Sequence, residues 1–467
     1  MMPLETPLWR SCLAACASRE TRPQPALRWL VAVLSLSLAS CQKTAPNGAA
    51  VTHPLAVIVS CDTAGWIVPC GCSSKQAGGL LRRATYVRDV RQSADVLLAD
   101  AGGAPGGMSL YDRLKFESVL RGEIEMHTSA HNLGAAEVEL GAPSLRELNE
   151  KLHAPLLSSN VLDEQGREIV PTHRIVLVGG KRIAVTGVLS RKYARNGLRI
   201  DDPHESLMRV IRSLSGQFDD LLVLAYLPED ELEALATKLP EADMIVGGPT
   251  RQTIAPRRAG PSIWGATTNR GKFLVHLERS APGAAWDGKI VELDDQIADD
   301  AAQSKNLKRF RDELARIDFT ADQTGFSPLL KGDSPADFLV AGTDTCQKCH
   351  PNDCRQWSET GHAQAWKTLV EKEAHMDPYC QHCHTTGYGL PGGFNSMATG
   401  SLRQNVGCES CHGPGHAHVL RPATRTIYDA RDRCIQCHDH ENSPQFNYDQ
   451  FWTKIVHGEP ASPAKDQ

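Results

Sequence analysis

The sequence predicts a multidomain protein in which a layered α/β domain precedes a second, cysteine-rich domain. Two observations predict the first domain: short apolar runs alternate with helix-like segments over residues 54–295, and Gly-rich turns separate them. The second domain follows from the cysteines, because eight of the fifteen fall in four C-x-x-C-H runs after residue 341. A chain of 467 residues is long enough for two or three such domains.

The charge composition limits the kinds of partner that we expect the protein to bind. The formal net charge is −5, and 22% of the residues are charged. A chain of this balance has no excess of basic residues with which to attract phosphate backbones. We therefore expect no nucleic-acid partner.

The first 40 residues have the features of a signal peptide. A basic stretch precedes a ten-residue, mostly apolar run at 29–38, which is too short to span a bilayer as a helix. The run ends in Leu38-Ala39-Ser40-Cys41, which resembles the lipobox of bacterial lipoproteins. The resemblance implies that Cys41 begins the mature chain and carries a lipid, with 41–53 as a tether. Gln42, which is not acidic, favours the outer membrane over the inner one. The alternative is ordinary cleavage after small residues.

Strands and helices alternate through the first domain. Apolar runs predict strands, and segments with helical spacing of apolar residues predict helices. Residues 175–178 and 183–188 predict a hairpin around Gly179-Gly180. Charged residues of helical period in 296–340 predict a helical linker to the second domain. The predicted strands are 55–60, 96–98, 221–226, 244–246, 263–264, 273–277 and 290–293, and the predicted helices are 80–90, 204–214 and 229–238.

This order of elements resembles the catalytic domain of bacterial 5′-nucleotidases, which are calcineurin-like metallophosphoesterases. Members of that family bind two divalent metals with Asp, Asn and His residues at strand ends. The corresponding blocks here are Asp62-Thr63-Ala64-Gly65, Asp100-Ala101-Gly102-Gly103, Gly141-Ala142-Pro143-Ser144, Leu224-Ala225-Tyr226 and Gly247-Gly248-Pro249-Thr250-Arg251.

Of the family's metal-binding positions only Asp62 keeps its residue type. Ala64 stands in place of one His and Gly103 in place of one Asp, and the third block has no Asn-His pair. Because two cations require several anionic or imidazole ligands around one cavity, we expect a phosphoesterase-like domain without phosphoesterase activity. The alternative is that other residues have rebuilt a metal site.

The four C-x-x-C-H runs predict four covalently attached haem c groups. In such a site two thiols bind the haem vinyl groups, and the following His binds the iron as proximal ligand. A single run would also suit a zinc knuckle, but zinc does not require a His after every pair of cysteines. The attachment residues are Cys346, Cys349, Cys380, Cys383, Cys408, Cys411, Cys434 and Cys437, and the proximal ligands are His350, His384, His412 and His438.

Residues 341–460 resemble the multihaem cytochromes of the cytochrome c-552/c-554 type. The resemblance rests on the four runs and on Gln356-Trp357-Ser358, Gly361-His362-Ala363 and Gly392-Gly393-Phe394. It implies a mainly helical tetrahaem cytochrome c domain, here 341–467, wrapped around closely spaced haems. It also singles out His362, His418 and His457 as distal ligands, and we choose His375 over His416 as the fourth. A surplus of histidines favours two His ligands on every iron.

Three further cysteines, Cys61, Cys70 and Cys72, lie on the loop after the first predicted strand. One interpretation is a structural disulfide with a spare thiol, since exported cysteines usually pair. The other is a thiolate site that binds a soft metal such as copper(I) or cycles between dithiol and disulfide.

The leading function is that of a lipid-anchored, periplasm-facing electron-transfer protein whose partners are periplasmic or membrane redox proteins. One alternative is a multihaem oxidoreductase with an open iron that acts on a small nitrogen or sulfur species. The other is a 5′-nucleotidase-like hydrolase with an attached cytochrome. Enzymatic activity is left open by the sequence.

Overall fold

The computed structural model describes residues 53–69, 76–326, 338–424 and 430–458. The predictions for the signal peptide, Cys41, Cys70 and Cys72 lie outside these ranges. Within them, no helix combines the length and the apolar character needed to cross a membrane.

The first part of the chain contains two six-stranded sheets and one two-stranded sheet. The first sheet has the order β14-β13-β1-β2-β3-β4, and the second has the order β11-β12-β10-β9-β7-β6. The elements are β1 (Leu55–Ser60), α1 (Leu80–Val90), β2 (Asp95–Asp100), α2 (Leu110–Glu125), β3 (Ala130–Asn132), α3 (Ala135–Glu139), α4 (Gly141–Leu152), β4 (Leu156–Leu157), β5 (Val161–Asp163), β6 (His173–Val178), β7 (Lys181–Leu189), β8 (Leu198–Ile200), α5 (Pro203–Ser213), β9 (Asp220–Tyr226), α6 (Glu229–Lys238), β10 (Met244–Gly248), β11 (Ile254–Ala259), β12 (Ser262–Ala266), β13 (Phe273–Arg279), β14 (Asp287–Glu292) and α7 (Ala301–Ile317).

The side chains of β9 show how the sheets are layered. Leu222 and Leu224 belong to the core shared with the first sheet, whereas Leu221 and Val223 belong to a second core under α5 and α6. Alternate residues of a strand point to opposite faces, so the second sheet is buried on both sides. The layered α/β domain predicted from the sequence is therefore confirmed.

In each six-stranded sheet, parallel pairing brings the carboxyl ends of several strands to the same edge. Strands β1, β2, β3 and β4 pair in parallel, and β7, β9, β10 and β12 do the same in the second sheet. The carboxyl ends of parallel strands meet at one edge of a sheet, where ligand sites commonly form. The predicted hairpin is also present, as antiparallel β6 and β7 joined at Gly179-Gly180.

The helix of the predicted linker packs on the α/β domain. Phe310 and Leu314 of α7 are buried in the same core as β1. Two buried amides of α7 bind the backbone of α2: Gln303 Nε2 donates to the Gly122 carbonyl at 3.1 Å and Asn306 Nδ2 to the Ser118 carbonyl at 2.9 Å. This helix therefore stabilises the first domain as well as leading to the second.

The C-terminal part consists of short helices and loops, as the mainly helical prediction requires. Its core is small, with Trp366, Leu369, Tyr388 and Phe394 packed near Ala321. The described helices are α8 (Thr343–Cys346), α9 (Pro351–Ser358), α10 (Ala365–Glu371), α11 (Pro378–His384), α12 (Cys408–His412), α13 (His416–Leu420), α14 (Ala430–Cys434) and α15 (Tyr448–Trp452).

A buried carboxylate connects the first and third C-x-x-C-H runs. Glu409 lies between the two cysteines of the third run, and it accepts hydrogen bonds from the backbone N–H groups of Ala341, Gly342 and Gly415 at 2.6–2.7 Å. Charge-assisted bonds of this kind are stronger than neutral ones. They hold the start of α8 against α12.

Candidate haem sites and the strand-end cleft

Each C-x-x-C-H run folds as about one helical turn. The backbone N–H of His350 binds the Cys346 carbonyl at 2.9 Å, and that of His438 binds the Cys434 carbonyl at 2.8 Å. Residues four apart on a helix share one face. The first thiol and the imidazole of a run are therefore presented to the same side, as a haem plane bound by both requires.

The structure brings three of the motif histidines next to three of the predicted distal histidines. The ring centres are 6.1 Å apart for His350 and His418, 6.1 Å for His362 and His438, and 5.9 Å for His412 and His457. Two imidazole nitrogens on opposite sides of one metal, with bonds of roughly 2 Å each, put the ring centres about 6 Å apart. The three pairs therefore have the spacing that two axial ligands of one iron need.

Hydrogen bonds to the other ring nitrogen orient these imidazoles. The Nδ1 atom of His418 lies 2.8 Å from the Thr424 carbonyl, and that of His457 lies 2.9 Å from the Ile455 carbonyl. The Nδ1 atom of His438 lies 3.1 Å from Ser443 Oγ. Metal-binding histidines commonly donate one N–H in this way, which leaves Nε2 for the metal.

His384, the second motif histidine, is also oriented by a hydrogen bond at its Nδ1 atom. The Nδ1 atom of His384 lies 2.7 Å from the Ala365 carbonyl. Burial lowers the pKa of His384, as it does for His362, His412 and His438. Neutral imidazole is the form that binds a metal, so burial favours the ligand state of all four rings.

His375 is not among the three pairs. Its ring lies 6.1 Å from Trp366, and its Nδ1 atom is buried without a hydrogen-bond partner. His382, directly before Cys383, stacks on Phe326 at 5.1 Å. The assignment of His375 as a distal ligand stays a prediction.

Thiols of different runs lie close together in the C-terminal part. The thiol of Cys408 lies close to those of Cys346 and Cys354, and its interaction with Cys346 is the main reason why the pKa of Cys408 is lowered to about 6. The first and third attachment sites are therefore neighbours. Cys354, which belongs to no run, is buried beside them.

The strand-end cleft of the α/β domain begins at Asp62. Its carboxylate accepts a hydrogen bond from Thr268 Oγ1 at 3.0 Å. Burial raises the pKa of Asp62, although the bonds from Thr268 and the Asn269 backbone oppose the shift. The carboxylate is thus placed where the resemblance expects a metal ligand.

Tyr226 occupies the space next to Asp62. A Cβ atom added to Gly103 would lie 2.8 Å from Tyr226 Cε2 and 3.0 Å from its hydroxyl oxygen. A Cβ atom at Gly134 would lie 2.8 Å from Cδ2 of the same ring. Carbon atoms do not approach this closely, so the Tyr226 ring fills the place into which side chains at 103 and 134 would project.

The third block of the resemblance was misplaced at Gly141. Gly141 begins α4 and follows a helix, whereas metal blocks of this kind follow strands. The carboxyl end of β3 is followed by Gly134-Ala135-Ala136-Glu137, which keeps the outer Gly and Glu of the family block but has two alanines between them. Because β3 has only three residues, no sequence pattern shows that a strand ends just before this block. The Gly-x-x-Glu spacing was nevertheless visible.

Cys61 is buried at the base of the cleft. Its Sγ atom donates to the Gly102 carbonyl at 3.4 Å, and the residue is a free thiol. Burial, followed by the neighbouring carboxylate of Asp62, raises the pKa of Cys61 well above its usual value. A thiol so placed resists deprotonation, which weighs against a thiolate role for this residue. Cys70 and Cys72 lie outside the described residues.

The cleft loop and α2 also contact residues that directly precede the second haem-attachment run. Trp66 packs edge-on against Tyr379 with ring centres 5.4 Å apart, and Tyr111 donates its hydroxyl to Asp377 at 2.6 Å. Lys115 Nζ lies 5.3 Å from the centre of the Tyr379 ring. This contact between the two parts of the chain was not predicted, because nothing in either segment alone indicates its partner.

Comparison with known proteins separates the two parts of the chain. Residues 345–413 match the family described as cytochrome c554 and c-prime. Cytochrome c-554 of Nitrosomonas europaea is 37% identical over 95 residues, which cover 17% of this chain and 40% of that protein. The uncharacterized metallophosphoesterase YunD of Bacillus subtilis is 27% identical over 178 residues, 36% of each chain. This chain thus spans less than half the length of either relative.

Among solved structures, a 5′-nucleotidase precursor from Thermus thermophilus is similar at a TM-score of 0.49 and 19% identity, over 57% of this chain and 60% of that one. The chain thus joins an α/β part similar to a metallophosphoesterase to a C-terminal part that matches the cytochrome c554 family, and this match implies covalently bound haem c.

Proposed function

We propose that this protein is an exported, lipid-anchored tetrahaem cytochrome that carries electrons between periplasmic or membrane redox proteins. The observation that carries this proposal is the set of three histidine pairs with ring centres 5.9–6.1 Å apart. Each pair joins a motif histidine to a histidine from another segment. Haem with two axial histidines supplies one-electron redox chemistry without an open position for substrate.

The closeness of the attachment sites supports transfer along the C-terminal part. Cys346 of the first run and Cys408 of the third are within hydrogen-bond distance. His362, which lies between the first two runs, pairs with His438 of the fourth. The runs are therefore interleaved in space rather than separated, and groups attached to them would be close neighbours.

The lipid anchor and the export rest on the sequence features of residues 1–41. C-type haem attachment in bacteria takes place after export, which agrees with a signal peptide. We further propose that Cys41 carries the lipid and that the protein faces the periplasm, with the outer membrane favoured. Metabolic labelling with a radioactive fatty acid should label the unaltered protein and leave Cys41→Ser unlabelled.

We assign the α/β domain a binding or redox role in place of phosphoester hydrolysis. Tyr226 fills the space beside Asp62, and two alanines follow Gly134 at the end of β3. Metal-assisted hydrolysis requires cations at this place and room for a bound water. Within the described residues, Ala64 and Gly103 stand in place of expected ligands, and the Tyr226 ring takes up the space beside Asp62.

The direct test is the number of haems. The full-length protein, produced with a haem-maturation system, should carry four covalent haems, one for each run. Intact mass spectrometry measures this number. Cys437→Ser should disturb attachment at the fourth run, whereas Cys354→Ser is the matched control and should leave the mass increment unchanged. Three or fewer haems on fully matured, unaltered protein would contradict the proposal.

A further inference from the structure

A second cluster of ligand-type side chains lies inside the α/β domain, in the described part of the chain. It consists of Asp100 at the end of β2, Glu123 on α2 and His131 in β3. One ligand atom from each lies within 4.8 Å of the other two, and all three residues are buried. Because they come from three different elements, their convergence is a property of the fold and not of local sequence.

His131 is oriented as a metal-binding histidine would be. Its Nε2 atom lies 3.1 Å from Glu137 Oε1, and its Nδ1 atom lies 2.7 Å from Glu123 Oε2. Glu137 is fixed by other donors as well, since it accepts the backbone N–H groups of Gly103, Ala104 and Gly134. A carboxylate that accepts one N–H of a histidine fixes the tautomer, which leaves the lone pair on the other nitrogen. Here that nitrogen faces Glu123 and Asp100.

Three buried carboxylates, those of Asp100, Glu123 and Glu137, lie around His131. Arg83 contacts Asp100 at 3.5 Å, and all five side chains are 0–1% exposed. Carboxylates this close together in the interior repel one another, so a bound cation is favoured among them.

An independent observation points to a missing ligand. Glu123 Oε1 is fully buried and has no hydrogen-bond partner. It belongs to the same carboxylate whose other oxygen contacts His131. Orphan carboxylate oxygens in a protein interior are rare, because each one loses its solvation without replacement.

We propose that Asp100, Glu123 and His131 bind one divalent transition-metal ion, with Glu137 as the outer carboxylate that orients His131. Two carboxylates and one imidazole suit zinc, manganese or iron. The site is enclosed, so the ion would stabilise the junction of β2, α2 and β3. The three ligands do not include Asp62 and lie outside the haem-attachment runs, although Asp100 ends the strand next to β1 and Glu137 follows β3 at the same edge of the sheet.

The test measures metal content on the full-length, haem-loaded protein. After chelation, the protein is incubated with zinc or manganese and desalted, and its metals are determined by inductively coupled plasma mass spectrometry. Haem absorbance counts the haems separately, so failure of the haem assignment is visible on its own. We expect about one equivalent of non-haem metal for the unaltered protein, and a loss of roughly tenfold or more in affinity for Glu137→Gln.

Glu123→Gln should abolish retention of the metal, because it removes a ligand charge but keeps the shape of the side chain. Glu147→Gln on the exposed face of α4 is the matched control and should bind as the unaltered protein does. Absence of non-haem metal from the unaltered protein after incubation with zinc and with manganese, or equal retention by Glu123→Gln, would overturn the proposal. If Glu123→Gln does not fold, the melting temperature of the unaltered protein decides: it should rise with added metal and fall after chelation, and no change would overturn the proposal.

Discussion

Tyr226 is the residue that bears most directly on the proposed loss of hydrolase activity. Its ring stands over Gly103 and Gly134, where the absence of side chains makes room for it. Restoring a metal ligand at 103 alone would therefore create a steric clash instead of a metal site. The sequence showed the loss of ligands, but only the packing shows that the vacated space has been filled.

From these residues we predict that the protein hydrolyses neither nucleotides nor bis-p-nitrophenyl phosphate, with or without manganese. The reason is that Ala64 and Gly103 stand in place of two ligands that the resemblance expects beside Asp62, and the Tyr226 ring fills the space next to Gly103. Asp62→Ala should leave the background rate unchanged in a colorimetric phosphate assay. Metal-dependent turnover that Asp62→Ala abolishes would show that the cleft is a working hydrolase site.

His457→Ala should change the spin state of one haem and leave the number of haems unchanged. His457 pairs with His412, and its removal takes away an axial ligand without touching a thiol. Electron paramagnetic resonance of the ferric protein measures the high-spin fraction. His440→Ala is the matched control and should have no effect. An unchanged spectrum for His457→Ala would mean that His457 is not a ligand.

At the scale of elements, the turn after β5 depends on one carboxylate. Asp163 accepts backbone N–H groups of Gln165 and Arg167 at 3.0 and 2.9 Å, and it pairs with Arg146 at 2.7 Å. The backbone bond from Arg167, with the charged bonds from both arginines, lowers the pKa of Asp163 to about 2. The turn aligns β5 with β8 in the two-stranded sheet.

We predict that Asp163→Asn lowers the melting temperature by a few degrees at neutral pH and has little effect near pH 2. A carboxylate with a depressed pKa in the folded state stabilises above its unfolded pKa of 3.8, and this stability is lost as the pH falls towards 2. Glu164→Gln, in the same turn and exposed, is the control. Circular dichroism melts at both pH values measure the difference, and an equal shift at pH 2 would exclude a role for ionisation.

The strands and helices that the sequence predicted correctly have strong local signals. Residues 55–59 form a continuous apolar run, as expected for a strand buried on both faces, and the helix at 80–90 repeats its apolar residues with helical spacing. Strand β3 was missed because three residues carry no period, and this omission moved the third block of the resemblance to Gly141. The packing of α7 on α2 depends on tertiary contacts that no local pattern encodes.

The residues of the candidate haem sites could also be predicted from the sequence only where a local pattern marks them. The thiols and motif histidines are set by a contiguous pattern, so the sequence alone names them. The histidine pairs are not contiguous, and only the resemblance suggested His362, His418 and His457. The cluster at Asp100, Glu123 and His131 carried no signal, because its residues come from separate elements.

At the scale of the whole molecule, a polar and aromatic contact joins the α/β part to the haem-attachment part. Tyr111 on α2 binds Asp377, the N-cap residue of α11. Glu441, close to the fourth run, pairs with Lys272 at 3.3 Å and Arg270 at 3.6 Å. The α/β part therefore supports the second and fourth runs at once.

We predict that Tyr111→Phe and Asp377→Asn are energetically coupled. Each removes one end of a partly buried bond to a charged group, and such a bond contributes on the order of 1 kcal/mol. Urea unfolding followed by haem absorbance should give a coupling energy above about 0.5 kcal/mol in a double-mutant cycle. Tyr86→Phe, which removes a hydroxyl bound to His276, is the control and should be additive with Asp377→Asn. Additivity of the first pair would show that the contact does not stabilise the protein.

The histidine pairs have a consequence for how the C-terminal part is assembled. Each pair connects segments far apart in the sequence, and the local apolar core between them is small. An iron bound by both members of a pair would close a long chain loop, and the free-energy cost of closure grows only slowly with loop length. The haem iron would then keep the loop closed, and the small apolar core would contribute less to this closure. We expect this region to be open before haem attachment and to reach its compact form only as each haem is attached.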